Sequence, residues 1–432
     1  MNAMKRREGS PSRFFVIIVA FMATGKTSYP REKIKVLLLE NISDTAVREL
    51  EAAGYVSIER LGGALSEADL VKAVRGVHLL GIRSKTRFTR DVIEAADKLL
   101  AIGAFCIGVN QVDLKAATEH GVAVFNAPYS NTRSVAELII GLSVMLIRRI
   151  PDKNAAAHRG EWLKEAKGSF ELRGKTLGII GYGNIGSQVS TMAEAMGMQV
   201  IYYDIATKLP LGNAKQVGDL RELLKRSNIV TLHVPSTPLT RNMIDADALK
   251  AMRKGSILIN HSRGDVVDLC AVAKAIESGK LAGAAIDVFP EEPEKTGDAF
   301  ACELQGLPNV ILTPHVGGST EEAQANIGVD VTSKLIKFLD FGTSEGSHTV
   351  PPVSLPPQSG THRILHIHRN IPGVLGEINS RLSKHGINIV GQYLNTNPEI
   401  GYVILDVESR LSKEAFEILK EVPGTVRARM VY

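Results

Sequence analysis

From Ile34 onward the chain alternates short apolar runs with amphipathic stretches. IKVLLLE, HLLGIRS and VAVFNAP (residues 34–40, 78–84 and 122–128) read as strands, with a helix at 45–53 and VIEAADKLLAI between them. That alternation predicts a parallel α/β domain. Residues 130–150 predict one helix, apolar on nearly every face between Val135 and Ile147, and so buried between domains or subunits. Residues 175–204 then read as strand, glycine turn, helix and second strand. Four further apolar runs follow, IVTLHVP, SILINHSRG, GAAIDVFPEEP and NVILTPHVGG, separated by helical or turn sequence. Residues 320–341 predict an amphipathic helix that returns the chain to the front domain. SEGSHTVPPVSLPPQSG, residues 344–360, has a linker composition. Beyond it the order strand, helix, strand, strand, helix, strand predicts a small α+β sandwich of the ferredoxin-like kind. It carries no catalytic constellation, so binding or regulation is its expected role.

At 432 residues the chain has room for two or three domains with full cores. The formal charge of +5 traces to residues 1–33, which hold seven Lys/Arg against two Asp/Glu. The remainder is balanced, and its few aromatics are not interleaved with basic residues, so no nucleic-acid surface is expected. Cys106, Cys270 and Cys302 are odd in number and widely spaced, which supports neither a disulfide framework nor a metal site; a cytoplasmic location is expected. Lys5, Arg6, Arg7 and Arg13 precede ten apolar residues, 14–23, in the outline of a secretion signal. That run is too short to span a bilayer, and no A-x-A pattern follows it. We read residues 1–28 as an extension, with Met22 the expected true start and no membrane segment.

The chemistry begins in GYGNIG. Gly181 permits the tight turn, Gly183 lets backbone approach a pyrophosphate, Gly186 lets helix and strand pack closely, and the helix N-terminus offers N–H groups to the anion. Asp204 ends the second strand, where an acid suits the ribose of NAD and repels the 2′-phosphate of NADP. His233, Ser262 with Arg263, Asp287 with Glu292, and His315 each fall at or just beyond the end of an apolar run. In a doubly wound sheet such ends converge on the cofactor crevice. Hydride transfer from a secondary alcohol needs a base for the proton and a cation for the developing carbonyl. His315 suits the base, since imidazole titrates near roughly 6.5. Glu292 suits the partner that fixes its tautomer, and Arg263 a carboxylate-binding fork. Arg83 and Ser84 end their run either as ligand contacts or in a solvated loop. Asn131 and Arg133 either face the cleft or serve the helix start, where Ser130 or Asn131 can cap.

These residues carry a resemblance. RSKTRFT, CIGVNQVDL, NAPYSNTRSVAEL, GIIGYGNIG, SRGDVVD, AAIDVFPEEP, LTPHVGGST, GYVILDV and PGTVRARMVY, spread from Ile34 to Tyr432, resemble the D-isomer-specific 2-hydroxyacid dehydrogenase family in its form ending with an ACT domain. The resemblance implies two doubly wound parallel-sheet domains, a Rossmann NAD domain (131–317) inserted into a flavodoxin-like substrate domain (29–130 and 318–359), and a ferredoxin-like ACT domain (360–432). It implies oxidation of 3-phospho-D-glycerate by NAD to 3-phosphooxypyruvate, opening L-serine biosynthesis, with reduction of 2-oxoglutarate as a further activity. Arg263, Glu292 and His315 would be catalytic. Asn184 and Ile185 would meet the pyrophosphate, Asp204 the ribose, and His261, Ser262, Arg263, Asp287, His315, Val316, Gly317 and Gly318 the nicotinamide end. Arg83, Ser84, Asn131 and Lys164 would hold the substrate, and His368, Asn370 and Asn388 would bind L-serine between subunits of a homodimer or homotetramer. Two departures stand out: His261 occupies a position where a small residue is expected, and Arg369 and Ile371 flank the serine motif in place of an acidic and a basic residue. Competing readings are a dehydrogenase for another D-2-hydroxy acid and a non-enzymatic NAD-sensing protein.

Overall fold

The computed structural model describes residues 29–293 and 297–431, so the reading of residues 1–28 lies outside the described residues. The chain forms two compact units, one of residues 129–323 and one of the flanking segments up to 128 and from 324.

In the flanking unit, β1 (Val36–Leu38), β2 (Ile58–Arg60), β3 (Leu79–Ile82), β4 (Ala101–Ala104) and β5 (Ala123–Asn126) form a parallel sheet of order β2-β1-β3-β4-β5. The unbroken apolar runs follow from burial on both faces, because alternate residues enter different cores. Val36, Leu38 and Phe125 join one cluster, while Leu37, Leu39 and Val124 join the other. The helix Glu321–Phe341 contributes Ile327, Val331 and Leu335 to the first.

The inner unit holds β6 (Thr176–Ile180), β7 (Gln199–Tyr203), β8 (Lys215–Gln216), β9 (Ile229–Leu232), β10 (Ser256–Asn260), β11 (Leu281–Ile286) and β12 (Val310–Leu312), ordered β12-β11-β10-β9-β6-β7-β8 and parallel throughout. This is the dinucleotide-binding order, reversing direction between β6 and β9. Ile179, Ile257 and Ile259 face one core, Ile180 and Leu258 the other. The expected helix at 130–150 forms as Thr132–Ile147 with Arg148 as its C-cap, and a left-handed Arg149 (φ 54°) then starts a second helix, Ile150–His158. In the single chain Val135, Ile139, Leu142 and Leu146 of the first helix pack into the core and Met145 is exposed.

The C-terminal part joins the flanking unit as β13 (Thr361–Arg369), β14 (Ile389–Thr396), β15 (Ile400–Glu408) and β16 (Thr425–Met430), an antiparallel sheet ordered β14-β15-β13-β16 with helices Val374–Lys384 and Ser412–Lys420. Ile364, Val403 and Leu405 pack under those helices. Leu365, Ile367, Tyr402 and Ile404 of the other face enter the same cluster as Val36 and Phe125. The linker expectation needs correction in its first part. Within residues 344–353, Ser344, Thr349, Val350, Pro351 and Val353 are buried, whereas residues 354–360 are mostly exposed. Ser344 Oγ donates to the Pro351 carbonyl (2.6 Å) and accepts from the Val353 N–H (2.9 Å), and Thr349 Oγ1 donates to Val122 and accepts from Val124 on the front sheet. Hydroxyls that suit a solvated linker here satisfy buried main chain instead.

Candidate active site

At the end of β6 the chain turns through Gly181, whose φ is 90° and whose Cβ would lie 2.6 Å from the His233 carbonyl oxygen. A Cβ on Gly186 would collide with the Gly181 carbonyl, so the helix Asn184–Ala195 packs down only with glycine there. Gly183 has no atom within 4 Å of its Cβ position, and as N-cap it brings no capping side chain. First-turn N–H groups near Asn184 and Ile185 are thus left for an anion. Asp204, just beyond β7, accepts the Tyr182 N–H through Oδ2 (2.8 Å) and the Ala206 N–H through Oδ1 (2.9 Å). The acid is tied to the glycine turn, and each oxygen retains accepting capacity for a ribose hydroxyl.

Asn260, the last residue of β10, accepts from Ser262 N (3.1 Å) and Oγ (2.8 Å) and donates to the Arg263 carbonyl (3.0 Å). It organises the loop that carries Arg263, a role that sequence reasoning missed; its signal there is a polar residue closing an apolar run. Gly264 follows; a Cβ there would collide with Phe289 main chain, so this loop lies directly on the segment leading to Glu292. Glu292 accepts the Phe289 N–H through Oε1 (3.1 Å) and contacts His315 Nδ1 through Oε2 (2.8 Å). His315 sits in the left-handed region (φ 53°), with its N–H on the Asp287 carbonyl (2.8 Å). Asp287, just past β11, accepts from Thr313 Oγ1 (2.5 Å), Val316 N (2.8 Å) and Gly317 N (2.8 Å). One buried carboxylate thereby fastens the loop that presents the histidine.

Electrostatics follow from this network. Glu292 as hydrogen-bond partner raises the His315 pKa above its ordinary value, and burial only partly opposes it. Burial pushes Glu292 up, but the His315 and Phe289 hydrogen bonds outweigh it and leave the carboxylate below its usual range. Burial likewise pushes Asp287 up, yet His261, Thr313 and the Val316 amide bring it to about 2. His261 Nδ1 contacts Asp287 Oδ2 at 3.4 Å, and neither ring nitrogen has a hydrogen-bond partner among the described residues. His233 Nδ1 and Asn131 Oδ1 are also buried without hydrogen-bond partners among the described residues. Polar atoms in that state fit a polar ligand laid along these strand ends. Desolvation first, and His261 second, lower the His233 pKa to about 3, so its ring stays neutral near pH 7.

Arg263, Glu292, His315, Asp287 and His261 are therefore brought together within the inner unit. Asn131 occupies the helix N-cap but makes no side-chain capping bond, and a Cβ on Gly318 would strike its amide. Arg133 pairs with Glu137 (2.6 Å), an ordinary exposed helix pair. Lys164 is exposed after the helix Ile150–His158. Arg83 and Ser84 follow β3 in the flanking unit, the first half-buried and the second exposed. His368 and Asn370 lie at one end of the antiparallel sheet, where His368 pairs with Gly401, whereas Asn388 precedes β14, whose first residue pairs with Val407 at the other end. One chain does not unite these three.

A family model described as "D-isomer specific 2-hydroxyacid dehydrogenase, NAD binding domain" matches residues 140–317, and one described as "AHAS small subunit-like ACT domain" matches residues 364–427. The chain is 53% identical over 409 residues to the D-3-phosphoglycerate dehydrogenase of Escherichia coli strain K12, covering 94% of this chain and 100% of that one. It is 50% identical over 406 residues to the enzyme of the same name from Dictyostelium discoideum, covering 94% and 99%. Among solved structures, the TT0316 protein of Thermus thermophilus is similar at TM-score 0.64 and 34% identity, over 71% of this chain and 96% of that one. The D-lactate dehydrogenase of Aquifex aeolicus, solved with NAD and lactic acid, is similar at TM-score 0.63 and 26% identity, over 73% and 100%.

Proposed function

Since the chain belongs to the D-isomer-specific 2-hydroxyacid dehydrogenase family, whose members are NAD-dependent oxidoreductases, we propose that it oxidises 3-phospho-D-glycerate to 3-phosphooxypyruvate. The full-length likeness to D-3-phosphoglycerate dehydrogenases supports the substrate. The observation that carries the chemistry is the 2.8 Å contact between His315 Nδ1 and Glu292. With Nδ1–H held there, Nε2 is the free nitrogen that accepts the substrate's hydroxyl proton, and Glu292 stabilises the imidazolium that results. Arg263 pairs its planar fork with the substrate carboxylate and the oxygen that becomes the carbonyl. NAD, when bound, supplies the hydride acceptor. Its pyrophosphate is assigned to the helix start at Asn184 and Ile185, its ribose to Asp204, and its nicotinamide end to His261, Ser262, Asp287 and the loop 315–318. Arg83, with Ser84, Asn131 and Lys164, is assigned to the substrate's phosphate side.

The ACT domain is assigned L-serine as an effector. The placement of His368 and Asn370 at the opposite sheet end from Asn388 supports a serine site that combines residues of two chains of a homo-oligomer. A spectrophotometric NADH assay tests both assignments, run with 3-phosphoglycerate, glycerate, lactate and 2-hydroxyglutarate, with and without serine. A kcat/KM highest for phosphoglycerate and lowered by serine is expected. Higher turnover of an unphosphorylated acid would overturn the substrate, and unchanged rates with serine would overturn the effector.

A further inference from the structure

Glu40 follows β1, and Arg83 follows β3, its parallel neighbour, so the two lie side by side at one sheet end. Glu40 is buried, 7% exposed, although no cation pairs with it among the described residues. Its partners are main-chain donors: Oε1 accepts the N–H of Arg83 (3.1 Å) and of Thr86 (2.9 Å), and Oε2 accepts that of Lys85 (3.0 Å). Its own carbonyl accepts from Arg83 Nη1 (3.5 Å). Glu40 and Asn41 both hold left-handed backbone, φ 61° and 51°, a conformation that persists in non-glycine residues only where the surroundings dictate it. The other side of the loop is fixed by Gln111, whose Nε2 donates to the Arg83 carbonyl (2.7 Å). The main chain around Arg83 is pinned at both its N–H and its C=O, while the guanidinium makes no salt bridge among the described residues.

We infer that Glu40 is a positioning residue, whose carboxylate holds the 83–86 loop so that Arg83 is presented, preorganised, to the phosphate group of the substrate. This rests on the assignment of Arg83 to phosphate made above. Preorganisation matters because a loop that must be ordered by the ligand weakens binding by the cost of ordering it. Glutamine at position 40 cannot serve all three donors, since its Nε2 would face an N–H.

The test compares phosphoglycerate with D-glycerate, which lacks the phosphate, in parent, Glu40→Gln, Glu40→Asp, Arg83→Ala and Glu40→Gln/Arg83→Ala enzymes. Glu40→Gln is expected to lower the kcat/KM ratio of phosphoglycerate over glycerate by roughly tenfold, mostly through KM, a size consistent with misplacement of a binding group. Glu40→Asp should fall between, and the Gln substitution should add little in the Arg83→Ala background. A purely structural role would depress both substrates together and leave the ratio unmoved, and that result overturns the inference. If Arg83→Ala lowers the ratio while Glu40→Gln does not, the positioning role alone fails. A ratio unchanged in Arg83→Ala removes the phosphate assignment and this inference with it. Should Glu40→Gln fold poorly, Glu40→Asp with Tm and NADH binding at parental levels gives the same reading.

Discussion

Glu292 divides one carboxylate between two tasks, Oε1 on the Phe289 N–H and Oε2 on His315. As the proposed base, His315 must be neutral to take a proton, so oxidation is expected to fall as pH drops through its pKa. That pKa is raised, chiefly by Glu292. Glu292→Gln removes the negative charge, so the acid limb of the kcat/KM profile should move to lower pH while kcat itself decreases; a limb that stays in place would contradict the pairing. His315→Ala should lose about 10²- to 10⁴-fold in kcat and lose that limb, measured by the same profile. His261 differs, because neither nitrogen of its buried ring has a hydrogen-bond partner among the described residues. An unpaired buried polar group costs about 1–3 kcal/mol. His261→Ala should therefore leave the Tm of the enzyme without cofactor nearly unchanged, as relief of that cost offsets lost packing. NADH binding should weaken about tenfold if those nitrogens serve the nicotinamide end, a change that fluorescence titration reads directly.

At the level of elements, the parallel strands were legible because burial on both faces leaves apolar runs such as LLGI and SILIN, and the strand ends were legible because Asp287, Arg263 and His315 break those runs. Three things were hidden. The left-handed Arg149 that starts the helix Ile150–His158 carries no glycine or asparagine signal, and the burial of Ser344, Thr349 and their neighbours depends on tertiary partners that composition does not encode. Glu40 was hidden for a related reason: its partners are backbone N–H groups on another strand's loop, which no side-chain pattern announces. The packed segment makes its own prediction. Ser344 is fully buried and satisfies both Pro351 and Val353. Ser344→Ala should cost about 2 kcal/mol, seen as a lower urea midpoint at unchanged m-value. A solvated linker would show no change.

For the flanking unit as a whole, the question is whether its antiparallel sheet is an appended module or part of one core. Antiparallel sheets commonly leave one face to water, yet here Leu365, Ile367, Tyr402 and Ile404 sit in the cluster of Val36 and Phe125. Arg427 donates to the Leu99 carbonyl and Arg429 to that of Phe338 (2.7 Å), so strand β16 is bonded to the front domain as well. Arg363 closes the arrangement. Fully buried, it pairs with Asp406 directly across the sheet (2.7 and 2.6 Å) and donates to the carbonyls of Phe341 (3.1 Å), Leu355 (2.6 Å) and Pro356 (2.9 Å). One guanidinium thus joins the end of the long helix, the proline-rich stretch and two strands. Removing one partner of a buried pair leaves the other charge uncompensated, at about 3–5 kcal/mol. Asp406→Ala should accordingly lower the Tm of the front sheet together with that of the antiparallel sheet, observable by calorimetry and by hydrogen exchange at β3 and β15. If exchange rises at β15 alone, the two sheets fold separately and the antiparallel sheet is an appended module.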